Sequence, residues 1–286
     1  MCGICGVAGG EPERGRELVQ KMCGSMAHRG PDDEGVVQAA GVTLGMRRLS
    51  TIDLAGGHQP MRNEDSMVWV VHNGEIFNHL GLREQLSAAG HVFHTQSDTE
   101  VLVHGYEQWS EQVVERLNGQ FAFAVLDQRA REVFLARDRM GIKPLHYAID
   151  GERLVFASEL KALLQDPALR RGVDPIALDE YLAYEFVPSP RSIVRGISKL
   201  RPGHTLTWSV AERRPRLRRY WAPQLNIDGS RHKRDLEEEC GELRAVLRES
   251  VRKELISDVP LGVFLSGGID SSAVTAMMTQ LGGDVK

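Results

Sequence analysis

Apolar residues mark out a series of short buried elements along the chain. Residues 2–9 read as a buried strand carrying three glycines. A helix follows over about 16–27, with Leu18, Val19, Met22, Cys23 and Met26 on one face. His28–Gly35 is rich in turn formers, and strands are expected near 42–50 and 67–73. Ser97-Asp-Thr-Glu100, ahead of Val101, Leu102 and Val103, has the capping-box pattern that opens a helix. Apolar β-rich runs recur at Phe121–Leu126, Val133–Ala136, Leu145–Ile149 and Leu154–Ala157, split by polar turns, with helices predicted near 159–165 and 175–185. Many short strands flanked by helices predict an α+β domain of sheets covered by helices, closing near residue 207.

The pattern then changes. Residues 208–234 are polar, with Arg213, Arg214, Arg216, Arg218 and Arg219 clustered, and read as a linker with a solvated surface. From Asp235 an amphipathic helix is predicted, with Leu236, Cys240, Leu243, Val246, Leu247 and Val251 on one face. An apolar strand Val259–Leu265, the turn Ser266-Gly-Gly-Ile-Asp-Ser-Ser272 and a helical run Ala273–Leu281 follow. This is the start of an α/β unit over 235–286. A parallel strand must be covered on both faces, and so short a stretch supplies neither layer, so the expectation is a truncated or split unit.

Composition narrows the function classes. The chain has 286 residues, is 42% hydrophobic and 26% charged, and carries a net charge of −4, without the basic face a nucleic-acid partner requires. Four cysteines are too few for a disulfide framework, and Cys2-Gly-Ile-Cys5 lacks the second pair of a zinc site. No secretory leader or membrane-length apolar run is evident, so no membrane partner and a reducing, cytoplasmic setting are expected. His91, His94 and His104 read as solvated histidines, because no carboxylate or cysteine completes a recognisable metal spacing.

Chemistry concentrates at the N-terminus. A small residue follows Met1, so its removal would make Cys2 the first residue and give one residue both a thiol and a free α-amine. An α-amine titrates near 7.7–8.0 and a thiol near 8.5, so the amine can act as base for its own sulfur. Downstream stand His28-Arg-Gly-Pro-Asp32, Arg48-Leu-Ser50, Asn73-Gly-Glu75, Ser97-Asp-Thr-Glu100 and Asp138-Arg-Met-Gly-Ile-Lys-Pro144. In this order they resemble the class II, N-terminal-nucleophile glutamine amidotransferases. Together with Phe156-Ala-Ser-Glu-Leu-Lys161, Leu200-Arg-Pro-Gly-His204 and Ser266–Ser272, they look most like the glutamine-hydrolysing asparagine synthetase family.

The resemblance implies a four-layer αββα sandwich in which Cys2 attacks the glutamine side-chain amide and releases ammonia. It gives the oxyanion to the Asn73 amide and the Gly74 N–H. Arg48 suits the substrate carboxylate, since a guanidinium can grip both oxygens, and Glu75 and Asp98 suit the ammonium. His28–Asp32 reads as a positioning loop.

The glycine-rich turn resembles the pyrophosphate loop of ATP pyrophosphatases. That likeness places Leu265 beside the nucleotide, Ser266, Gly267, Gly268, Ser271 and Ser272 around pyrophosphate, and Asp270 near magnesium. In complete family members ATP and magnesium activate aspartate, which ammonia converts to asparagine. This chain alone is expected to hydrolyse glutamine and not to make asparagine. Amidophosphoribosyltransferase and glucosamine-phosphate synthase share the N-terminal site but lack the Ser-Gly-Gly-x-Asp-Ser-Ser turn. Amidation of another carboxylate, and a non-catalytic remnant completed by a separate chain or a second copy, stay open.

Overall fold

Every strand of the first unit belongs to one of two antiparallel sheets. Sheet one runs β10 (Ile197–Lys199), β8 (His146–Asp150), β9 (Arg153–Ala157), β1 (Gly3–Ala8), β3 (Val42–Arg48) and β2 (Asp33–Ala39). Sheet two runs β12 (Arg214–Arg219), β11 (His204–Ser209), β7 (Glu132–Arg137), β6 (Gly119–Asp127), β5 (Val68–Ile76) and β4 (Met61–Arg62). The computed structural model describes residues 1–224 and 235–282.

Side-chain alternation along these strands builds three apolar layers. On β1, Ile4 and Ala8 face the other sheet and meet Val71, Ala122, Leu135 and Trp208 in the central core. Cys5 and Val7 face the opposite way, onto Val19, Met22 and Cys23 of α1 (Pro12–Ser25) and Leu163 of α5 (Leu160–Leu163). Sheet two turns Val70, Phe123 and Phe134 outward onto Leu82 and Leu86 of α2 (His79–Ala88), Leu102 and Tyr106 of α3 (Glu100–Trp109), and Val113 of α4 (Val113–Arg116). Helix, sheet, sheet, helix is the four-layer αββα sandwich expected from the sequence.

Close approach is bought with glycine where α1 crosses β3. A Cβ on Gly45 would lie 2.4 Å from Val19 Cγ1 and 2.7 Å from Cys23 Sγ.

Three local expectations change. The stretch read as a linker is partly sheet: Arg214–Arg219 forms edge strand β12 against β11, and the first compact unit reaches Ala222. Its arginines find carboxylates on the helical segment after α3, Arg216 pairing with Glu111 at 2.7 Å and Arg218 with Glu115. Composition alone hides this, because an edge strand with one exposed face tolerates charge. The rest of the expected linker, 225–234, lies outside the described residues.

The capping box is not formed as read. Thr99 stands at the N-cap of α3 without a side-chain cap bond. Glu100 instead accepts from the backbone N–H groups of His94 at 2.7 Å and Thr95 at 2.9 Å, bracing the segment ahead of the helix.

In the second unit, α7 (Leu236–Glu254) and α8 (Ile269–Gln280) form as predicted, but Val259–Leu265 is not a strand. Phe264 is 99% exposed, and Leu236, Leu243 and Val246 on α7 are also exposed. A strand exists by pairing with neighbours and being covered, and the described part of this unit offers neither. No helix of the described residues is long and apolar enough to cross a membrane.

Substituting Gly45→Ala should lower stability by about 1–3 kcal/mol, the usual range for overpacking a tight core contact. Urea unfolding of the two chains measures it, and an unchanged midpoint would show that α1 can shift away freely.

Candidate active site

Cys2 stands just ahead of β1, on the face that looks into the central core, with which it packs. It is fixed from three sides. β1 pairs with β3 and β9, Gly3 opposite Arg47 and Cys5 opposite Ala157. Arg29 Nε donates to the Cys2 carbonyl at 2.8 Å, and its Nη1 reaches Glu159 Oε1 at 2.9 Å. The Leu49 backbone N–H points at Cys2 Sγ from 3.5 Å. Burial pushes the thiol up, and the Leu49 N–H works against that rise. The terminal amine, borne by Met1 here, is held below its ordinary value, mainly by burial.

The cleft holding Cys2 is also lined by Arg48, Leu49, Thr51, Gly74, Glu75 and Asp98. Four separate segments therefore meet there: the start of β1, the end of β3, the end of β5 and the turn before α3. Arg48, Glu75 and Asp98 are brought together as the sequence predicted.

Asn73 is fully buried. Alternation along β5 puts it on the side of Val71, toward the central core that Cys2 borders. Neither its Nδ2 nor its Oδ1 has a hydrogen-bond partner among the described residues. An unsatisfied buried amide costs about 1–3 kcal/mol, so this group stands ready for a polar atom that the fold itself does not supply. Gly74 beside it must be glycine, since a Cβ would lie 2.0 Å from the Gln120 carbonyl oxygen of β6.

Charge in the cleft is buried and divided. Arg48 is 6% exposed, and its Nη2 donates to the carbonyl oxygens of Ile52 at 2.8 Å and Asp53 at 2.7 Å. The guanidinium thus holds down the loop after β3, and a bound carboxylate must share it with those carbonyls. Glu75 accepts from the Thr51 hydroxyl at 2.7 Å, and Asp98 from the Ile76 backbone N–H at 2.8 Å. Burial raises both carboxyl groups above the usual carboxylate range, and Asp98 adds to the rise at Glu75. His72 lies behind them as a neutral ring, burial and Lys143 bringing it down to about 3.

Several contributors were not legible as site residues. Leu49 acts through its backbone N–H, which leaves no side-chain signal. Arg29 and Asp32 belong to the loop read as positioning. Asp32 accepts from the Ser50 N–H at 2.8 Å, tying that loop to the one over the cleft. Asp138 organises its own motif, accepting from the N–H groups of Met140, Ile142 and Lys143 at 3.0 Å each.

The second predicted site is built differently. Leu265 through Asp270 are exposed on the second unit. Gly267 takes φ +82°, Ser266 and Ser271 hydroxyls meet at 3.0 Å, and Ser272 opens α8 by bonding to Gly268. Ser and Gly at a helix start form a suitable anion cradle. The structure supplies that local turn without the strand expected before it.

Glu75→Gln should stabilise the fold near neutral pH. A carboxyl raised by folding favours the folded state at low pH and loses that benefit as pH rises through its raised value. Removing it should lift the melting temperature by roughly 2–4 °C, equivalent to about 1 kcal/mol, with the gain disappearing in acid. Calorimetry at the two pH values checks the sign.

Comparison with known proteins identifies the family and the fold. The glutamine amidotransferase domain model matches residues 1–221, and the asparagine synthase model matches 242–286. Asparagine synthetase [glutamine-hydrolyzing] 3 of Bacillus subtilis is 38% identical over 97% of this chain and 45% of its own length. A putative asparagine synthetase [glutamine-hydrolyzing] of Mycobacterium tuberculosis is 37% identical over 97% of this chain and 45% of its own. The chain thus spans less than half the length of these relatives. Among solved structures, the glutamine phosphoribosylpyrophosphate amidotransferase of B. subtilis superposes with TM-score 0.54 at 22% identity, covering 100% of this chain and 65% of that one. An allosteric regulatory enzyme of purine biosynthesis gives TM-score 0.57 at 21% identity, over 100% and 64%. These two establish the shared fold. With a family model matched across the whole first unit, the chain belongs to the glutamine amidotransferase domain family.

Proposed function

We propose that the first unit hydrolyses glutamine to glutamate and ammonia at Cys2, as the ammonia-producing part of a glutamine-hydrolysing asparagine synthetase. What carries this reading is the convergence of Cys2, Arg48, Glu75 and Asp98 on one cleft, with an unpartnered amide at Asn73 beside it. A cation and two carboxylates lining one cleft match the two ends of an α-amino acid. In this reading the side-chain amide of the bound amino acid extends to the Cys2 thiol.

The chemistry follows from those positions. With Met1 removed, the Cys2 amine takes the Sγ proton as sulfur attacks the amide carbon. Negative charge develops on the former amide oxygen, where the Asn73 Nδ2 and the Gly74 N–H receive it. The amine then returns its proton to the leaving nitrogen, and ammonia departs from a γ-glutamyl thioester. Water cleaves that thioester, releases glutamate and restores the thiol. Arg48 binds the substrate carboxylate while Glu75 and Asp98 hold its ammonium. A nearby positive charge favours their ionised forms, so substrate binding and deprotonation of this pair reinforce each other.

The later steps concern a longer protein. Ser266, Gly267, Gly268, Ser271 and Ser272 would cradle the pyrophosphate of ATP and Leu265 would lie along the nucleotide. Asp270 in the first turn of α8 would face magnesium. ATP with magnesium would supply an activated carboxylate, aspartate in this reading, for ammonia to amidate. Free cysteines throughout suit a reducing, cytoplasmic setting.

Cys2→Ala should abolish ammonia release while leaving circular dichroism and the melting curve intact. Retained activity would show that another group is the nucleophile, and an N-terminus still carrying Met1 should be nearly inactive. Asn73→Ala should lower kcat roughly 100–1,000-fold, the usual loss of one oxyanion donor, with little change in KM. Arg48→Lys should act on KM instead, because an ammonium cannot reproduce the planar two-point grip. Steady-state kinetics with an ammonia-coupled assay separates the two. Activity should fall as acid protonates Glu75 and Asp98, starting above the ordinary carboxylate range.

A further inference from the structure

His91, His104 and Glu107 form a second cluster on the outer side of sheet two, which plays no part in glutamine hydrolysis. Read as solvated from the sequence, His104 is buried at 1% exposure in the structure. Helical spacing places His104 and Glu107 three residues apart on one face of α3, and His91 comes from the segment after α2. One ligand atom from each of the three lies within 4.8 Å of the others. His91 Nδ1 is 3.9 Å from Glu107 Oε2, and the two imidazole centroids are 5.1 Å apart.

The donors are oriented but unsatisfied. Among the described residues, neither ring nitrogen of His104 has a hydrogen-bond partner, and neither does the buried Glu107 Oε2. The nearest carboxylate oxygens to His104 are Glu100 Oε1 at 3.7 Å and Glu64 Oε1 at 4.0 Å, both beyond hydrogen-bond reach. Meanwhile the outer atoms are held in place. Asn63 Nδ2 donates to Glu107 Oε1 at 2.8 Å, and His91 Nε2 meets Gln108 Oε1 at 3.2 Å. Metal-binding imidazoles and carboxylates commonly have such partners on their far atoms.

We infer that His91, His104 and Glu107 bind a divalent transition metal, zinc by ligand type, as a structural clip. Two imidazoles and a carboxylate suit zinc at about 2.0–2.1 Å, which puts ligand atoms roughly 3.4 Å apart in a tetrahedron. Closing by less than an ångström would bring the 3.9 Å pair to that spacing. Glu64, beside His104, can provide a fourth ligand. The ion would fasten the 91–99 segment to α3. Asp98 sits at the end of that segment, so the clip would stiffen the acidic side of the glutamine cleft.

Zinc titration into the full-length, metal-stripped chain, followed by calorimetry and by cobalt substitution, tests the assignment. The expected result is one ion per chain, visible bands of tetrahedral cobalt, and a melting temperature that rises with zinc. His91→Gln and Glu107→Gln should each weaken binding 100-fold or more, and both sit far enough from full burial to spare the fold. His94→Gln, on the same segment but outside the cluster, should bind as the parent does. No stoichiometric binding, or binding that survives both His91→Gln and Glu107→Gln, would overturn the assignment. In the second case the ion is held away from this cluster.

Discussion

Backbone pairing of β1 between β3 and β9 is the constraint on which the site depends. A chain end is ordinarily the most mobile part of a domain, yet here it is threaded into an inner position of a sheet. Ile4 pairs opposite Met46, and its carbonyl accepts from the Ser158 N–H at 2.9 Å. Residues whose backbone bonds are shared on two sides cannot fray without breaking both ladders. Cys2 thereby inherits a fixed position from a strand that is buried on both faces, and Arg29 and Leu49 refine it.

Around that anchor the fold tolerates groups it does not satisfy. Asn73 is buried with an idle amide, and Glu75 and Asp98 are two carboxylates crowded into one cleft. Each lowers stability in the free protein, and each is a feature that a zwitterionic amide substrate would relieve. The rest of the domain absorbs the penalty through three apolar layers whose largest members, Trp208, Phe121, Phe123, Phe134 and Phe156, are fully enclosed. Local instability confined to one cleft in a well-packed sandwich is what differential binding of a transition state demands.

Arg48 links the cleft to the loop after β3. Its guanidinium donates to both the Ile52 and the Asp53 carbonyls, and a Cβ on Gly57 would lie 2.0 Å from its Nη2. Binding a carboxylate at the same cation would redistribute those hydrogen bonds, so occupancy and loop position are coupled through a single side chain.

Much was legible in the sequence because it depends on local pattern. Apolar β-rich runs gave β1, β5, β6, β7 and β9, and helical patterns gave α1, α6 (Pro175–Tyr184), α7 and α8. The order of short motifs singled out Cys2, Arg48, Gly74, Glu75 and Asp98, which line one cleft. Tertiary structure decided what local pattern cannot carry. An arginine-rich stretch became β12 because β11 offered an edge and Glu111 and Glu115 offered opposite charge. The apolar run 259–265 stayed irregular because no neighbour paired with it among the described residues. Ser97 and Glu100 were turned from a capping box into braces for the 94–98 segment. His91, His104 and Glu107 met only because α3 packs against the segment behind it. Propensity is written in neighbouring residues, whereas pairing partners, burial and convergent charge come from parts of the chain far apart in sequence.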